Sequence, residues 1–342
     1  MMIGQLLMLL GMFVFFINAA AHHGRGEFDM NNVVEREGTV TFAQWRNPHI
    51  FFRVDVEIDG RTEIWELEAQ DLNNVLRRGV PNNAIKVGDA ITFAGYPSTL
   101  RTNYVHLNNV LMADGLEIIV RQRTQPRWSE RYVGGGDKVI DDSAVIDLTA
   151  GIFRDWSDVV SRNRNAFRDP PLTEAGREGR DNYNAISDDP VLVACTARGM
   201  PGTMTSAGGL HPFRFERSGD DIILRLEAFD NVRVIHMDPR AGAEGQPFAP
   251  LGYSTGRWNG ETLVVTTTRV DWPISRLFDP TISQSREVEF IERFTVIEEG
   301  MQLRYDIAIS DPVNLMTSVS ADNYAVFGSL PGIGLLPYDC AP

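Results

Sequence analysis

Six histidines are spread over 342 residues, and three of them stand where a transition metal could be held. His22 and His23 follow directly on Ala19-Ala20-Ala21, and His49 closes the tripeptide Asn47-Pro48-His49. A chain cut after Ala21 begins with His22. A free amino-terminal histidine chelates Cu(II) through its amine and its own imidazole, leaving a position in the tetragonal plane for a second histidine. His49 is the candidate for that position, because Pro48 restricts the backbone just before it. His23 and His106 are further candidate ligands. The alternative is a polar terminal arm with no metal role.

A second set of polar residues lies in the other half of the chain. Arg233, His236 and Asp238 fall in the strand-like run Val232-Arg-Val-Ile-His-Met-Asp238. Residues two apart share a strand face and residues three apart do not. His236 and Asp238 are therefore the candidate catalytic pair for proton transfer, with Arg233 as a third catalytic candidate. Ser254, Arg257, Trp258 and Arg293 are candidate ligand contacts, and Trp258, Trp272, Phe213, Phe215 and Tyr305 could line a cavity. The competing reading makes Arg233, Arg257, Glu292 and Arg293 buried ion pairs, since buried charges must be paired whatever the function. Gly252-Tyr-Ser254-Thr-Gly256 has the spacing of a nucleophile elbow. A turn and a strand follow it, however, where that motif needs a helix.

The elements around these residues set the compartment and the frame. Residues 2–17 are uncharged and mostly large and apolar, yet shorter than the roughly 20 residues a membrane-spanning helix needs. With Ala19 and Ala21 at minus three and minus one, residues 1–21 read as a signal peptide cleaved after Ala21, which predicts a periplasmic or secreted protein with no stable membrane span. No Lys or Arg precedes the run, so an uncleaved anchor is the alternative. The two cysteines, Cys195 and Cys340, are then expected to form a disulfide tying the ends of the second half together. With 46 acidic residues against 32 basic ones and a net charge of −14, the chain offers no basic patch, which excludes nucleic acid as a partner.

From residue 33 to 120 the pattern is of short alternating strands. Asp59-Gly60 reads as a two-residue hairpin turn, and a short helix is expected over 71–78, capped by Asp71 and ended by Gly79. Five or six strands and one helix suit a small OB-like barrel over residues 22–120. Residues 121–190 lose the period and read as a linking segment. From 191 to 342 strands return at regular spacing, which points to a lipocalin-like antiparallel barrel or sandwich. The predicted class is mainly all-β.

Two stretches resemble known families. Gly252-Tyr-Ser-Thr-Gly-Arg-Trp-Asn-Gly-Glu-Thr-Leu-Val-Val265, with Ile291-Glu-Arg293 and Ser310-Asp-Pro312, resembles secreted bacterial proteins of unknown function sharing a Gly-x-Ser-x-Gly-Arg-Trp-x-Gly-x-Thr-Leu-Val-Val core. Ala21-His22-His23, Gly38-Thr-Val40 and Asn47-Pro48-His49 resemble a second family of small exported β domains, also without an assigned reaction. Asn259 departs from the first family, where an acidic residue is commoner. The leading expectation is periplasmic copper binding through a histidine-brace-like site at His22 and His49. Two others stand beside it: an enzyme or carrier for a small apolar ligand inside the second barrel, and an envelope interaction module with neither site.

Overall fold

The computed structural model describes residues 27–184, 196–205, 207–238, 240–279 and 281–340. The leader, His22, His23 and Cys195 lie outside the described residues, and with them the expected cleavage site and one end of the expected disulfide. Among the described residues no helix is long and apolar enough to cross a membrane.

The first half folds as the alternation requires. β1 (Val34–Gln44), β2 (Phe51–Ile58) and β3 (Arg61–Glu68) form an antiparallel meander. The β2–β3 turn is Asp59-Gly60, both with positive φ (50° and 73°), the combination that matches the twist of a tight hairpin. β4 (Ala90–Pro97) pairs with the far side of β1, and β5 (Tyr104–Met112) pairs antiparallel with β4 and parallel with β3. That last pairing closes a five-stranded barrel in the order β1-β2-β3-β5-β4, the OB arrangement. Phe52, Val54, Trp65, Leu67, Phe93, Val105 and Leu107 fill it. β4 shifts register between Ala94 and Gly95. A Cβ on Gly95 would stand 2.3 Å from the His106 carbonyl oxygen, so only glycine lets the strands approach so closely there.

Between β3 and β4 lies α1 (Leu72–Leu76), whose first turn is capped by the Asp71 side chain accepting from the Asn74 amide at 2.8 Å. β6 (Glu117–Ile119) and β7 (Tyr132–Gly134) extend the same sheet. The loop between them is held by the buried Glu117 carboxylate, which accepts from the amides of Arg127, Trp128 and Ser129 at 2.7–2.9 Å. Burial raises the Glu117 pKa, and these amides more than reverse that, leaving it lowered.

The second sheet begins earlier than the sequence pattern suggests. β8 (Asp155–Trp156) and β9 (Asp158–Arg162) come from the segment expected to be a linker, and they form the two edges of a ten-stranded sheet. α2 (Glu174–Asn182) is the short exposed helix of that segment. The other strands are β10 (Phe213–Ser218), β11 (Asp221–Leu226), β12 (Asn231–His236), β13 (Tyr253–Asn259) and β14 (Thr262–Thr268). After a small hairpin, β15 (Ile274–Ser275) with β16 (Ile282–Ser283), come β17 (Glu289–Ile297), β18 (Gln302–Ser310) and β19 (Val319–Gly328). The order is β8-β10-β11-β12-β13-β14-β17-β18-β19-β9, antiparallel throughout except for the parallel β12–β13 step. Because β8 and β9 are separated only by Ser157, the sheet curls round on itself. Its interior is packed with rings: Phe213 on Phe327 at 4.8 Å, Phe215 on Phe294 at 5.1 Å and Phe294 on Tyr305 at 5.0 Å.

Candidate functional site

The residues that come together with coordination chemistry lie on the outer face of the OB barrel. In β5, Val105 and Leu107 point inward, so Tyr104 and His106 point outward. The parallel β3–β5 pairing sets His106 opposite Glu68. His49, in the β1–β2 loop, reaches the same spot: its Nδ1 lies 2.9 Å from Glu68 Oε1 and 3.1 Å from the Ala69 carbonyl oxygen. Tyr104 donates its hydroxyl to the other oxygen of Glu68. One buried carboxylate thus serves the histidine, the phenol and the strand carrying the second histidine.

This geometry decides the His49 tautomer. A carbonyl oxygen only accepts, and the carboxylate beside it is already receiving the Tyr104 hydroxyl. Nδ1 must therefore carry a proton, so Nε2 is the lone-pair nitrogen whenever the ring is neutral. A histidine that ligates a metal is ordinarily held in this way, donating its remote N–H to a carboxylate or carbonyl. Burial lowers the His49 pKa, but the hydrogen bond and charge of Glu68 with the Ala69 carbonyl outweigh it and raise it. Burial, with the Glu68 charge second, pushes the Tyr104 phenol well above its ordinary value.

The described chain enters directly over this cluster. Phe28 pairs with Ser98 in the β4–β5 loop, and Asp29 donates its amide to the Pro97 carbonyl at 3.0 Å. The Phe28 ring lies 5.2 Å from the His106 ring and 6.1 Å from that of Tyr104. Arg101 lies over the Tyr104 ring, with its guanidinium carbon 3.2 Å from the centroid, and pairs with Glu27. The cluster therefore occupies the β3 face between the β1–β2 and β4–β5 loops, where OB folds hold ligands. Among the described residues no group of three or more His, Cys, Asp or Glu side chains is arranged to hold a metal ion.

The second set of sequence candidates is dispersed. Arg233 points into the second barrel and is 2 % exposed. It donates to Ser254 Oγ at 2.9 Å, to Thr267 Oγ1 and through both terminal nitrogens to Glu292, which also accepts from the Tyr305 hydroxyl at 2.9 Å. Arg233 and Ser254 are thus parts of a closed buried network. Ser254 sits within β13, with no helix after it to make an elbow. His236 faces outward, as its spacing from Arg233 predicts, but its partner is Asp221 (3.0 Å), and its ring stacks on Tyr253 at 4.7 Å. Asp238 instead pairs with Arg240 at the surface. Arg257 and Arg293 are exposed on the outer face of the sheet, so neither joins Glu292. Trp258 shares the inner face with Ser254 and Leu263 but is exposed, with its ring 6.4 Å from that of Phe153. The aromatics Phe213, Phe215 and Tyr305 are core. A cleft of about 450 Å³ does open beside His236, between the outer face of β12 and residues 249–254.

Glu68 and Tyr104 carried no mark in the sequence. Glu68 continues the alternation of Glu66, and only the β3–β5 pairing, distant in sequence, reveals which carboxylate meets His49.

Residues 12–104 match the model of a family of unknown function, DUF6152. The chain is similar to that family over the first barrel, through the start of β5, and the match includes His22, His23, His49, Glu68 and Tyr104. No curated protein and no solved structure matches it.

Proposed function

We propose that the protein is an exported metal-binding protein that holds copper, or a related transition ion, on the face of its first barrel. His49 supplies one imidazole through Nε2. His22, with its free amine after cleavage behind Ala21, supplies the chelating pair of a histidine brace, and His23 and His106 are the further nitrogen donors beside them. Nitrogen ligands in a plane suit Cu(II). The observation that carries the reading is the His49 Nδ1–H donated to both Glu68 and the Ala69 carbonyl. That bond leaves Nε2 as the nitrogen assigned to the metal, in the cluster where Phe28 packs on His106 and Tyr104. The second barrel supports a ligand-carrying role less well, because aromatic rings fill its interior.

Calorimetric titration of Cu(II) into the exported protein tests this, with mass spectrometry to establish the first residue. One equivalent is expected to bind to a chain beginning at His22, and His49→Ala is expected to weaken binding by at least 100-fold. Equal affinity in His49→Ala would overturn the assignment.

A further inference from the structure

The loop that carries His49 is not held by the first barrel alone. Asn47, 1 % exposed, accepts from the Leu72 amide at the start of α1 (2.9 Å) and donates to the Asn73 side chain (3.2 Å). It also donates to the carbonyl oxygen of Tyr338, and its backbone pairs with Cys340 in an isolated parallel bridge. Residues 334–340 run as a strap between the domains. Arg77 donates to the Gly334 carbonyl at 2.8 Å, and Asn73 donates to the Pro337 carbonyl at 3.2 Å. The Leu336 amide donates to Glu227 at 2.8 Å, and the Tyr338 amide to Asp230 at 3.1 Å. The strap therefore bonds residues of the second domain on one side and the His49 loop with α1 on the other. Three residues beyond Asn47, the Ile50 amide and carbonyl fix the loop's far end to Gln70 and Ala69. His49 thus sits between one anchor in its own barrel and one that reaches into the other domain.

We infer that the second domain takes part in the metal site through this strap, with Asn47 as the positioning residue, so that docking of the strap and binding of metal are thermodynamically coupled. The inference rests on the metal-binding reading above. A coupling of this kind is reciprocal: whatever the strap adds to metal affinity, metal must return to the strap. Partners that orient a ligand without touching the metal are typically worth about 10- to 100-fold in affinity.

The test uses the full exported chain and Cu(II) alone. Asn47→Ala is expected to bind Cu(II) about 10-fold more weakly while its circular dichroism remains that of the wild type. In the unsubstituted protein, adding one equivalent of Cu(II) is expected to slow hydrogen exchange at the Leu336 and Tyr338 amides. Unchanged exchange at those two amides on copper loading would overturn the inference, and this second measurement needs no variant to fold. If the wild type binds no Cu(II) at all, the metal-binding reading fails. If it binds while the strap amides and Asn47→Ala show no response, the coupling alone fails.

Discussion

At the scale of single residues, the account turns on why one histidine of a surface loop holds a defined orientation. The His49 ring is half-exposed, yet its Nδ1 is engaged by two acceptors and it has little freedom to rotate about χ2. Glu68 does this work and is itself fixed by Tyr104 on its other oxygen. Glu68→Gln keeps the size of the side chain but removes the charge that favours the Nδ1–H donor. It is expected to lower Cu(II) affinity by about 10-fold, the range for an outer-shell partner, with a melting temperature close to wild type. Unchanged affinity would show that the carboxylate orients nothing. His49 and His106 were legible as candidates because histidines beside a proline or on an alternating strand are visible in a sequence. Glu68 was not legible, since a parallel pairing between residues almost forty positions apart decides its role.

Among the elements, strand alternation was the most legible feature, and it sorted faces correctly on β12. Arg233 and His236, three apart, do point to opposite sides of the sheet. What alternation could not supply was partners. His236 meets Asp221 on the neighbouring β11 rather than Asp238 on its own chain direction, because β12 ends at His236 and Asp238 has left the sheet. Arg233 likewise meets Glu292 inside the barrel, with β13 and β14 lying between their strands, while Arg257 and Arg293 turn outward. Removing one member of this buried pair leaves an uncompensated charge in a ring-filled core. Glu292→Leu is accordingly expected to destabilise the protein by about 3–5 kcal/mol, read from the shift of its urea midpoint. Arg233→Met with Glu292→Leu together should recover much of the loss. A single substitution costing less than about 1 kcal/mol would mean that the network is wetter than the structure shows.

For the whole molecule, the two barrels are joined by a buried carboxylate as well as by the strap. Glu227, 1 % exposed, receives both terminal nitrogens of Arg77, the Asn73 amide, the Leu336 backbone and His211. Burial alone would raise its pKa, but the hydrogen bonds from His211 and Arg77 prevail and hold it at about 2, against an ordinary 4.5. A carboxylate depressed on folding stabilises the native state above its unfolded pKa, and that stability is lost as pH falls through the folded value. The gap corresponds to about 3 kcal/mol. Wild-type stability is expected to drop between pH 4.5 and 2, and Glu227→Gln, less stable at pH 7, should show a flatter profile across that window. Identical slopes for the two proteins would remove Glu227 as the cause. None of this was legible beforehand. The partition into two β domains was, yet the division of residues 121–190 between them depended on β8 and β9 closing the second sheet, and two- to five-residue edge strands carry too little period to be read.

The most direct measurement of the central claim is electron paramagnetic resonance of the exported protein loaded with one equivalent of Cu(II). A tetragonal spectrum is predicted, with nitrogen couplings from the amino-terminal amine and at least two imidazoles, one of which disappears in His49→Ala. A spectrum from oxygen ligands, or one unaltered by that substitution, would contradict the account.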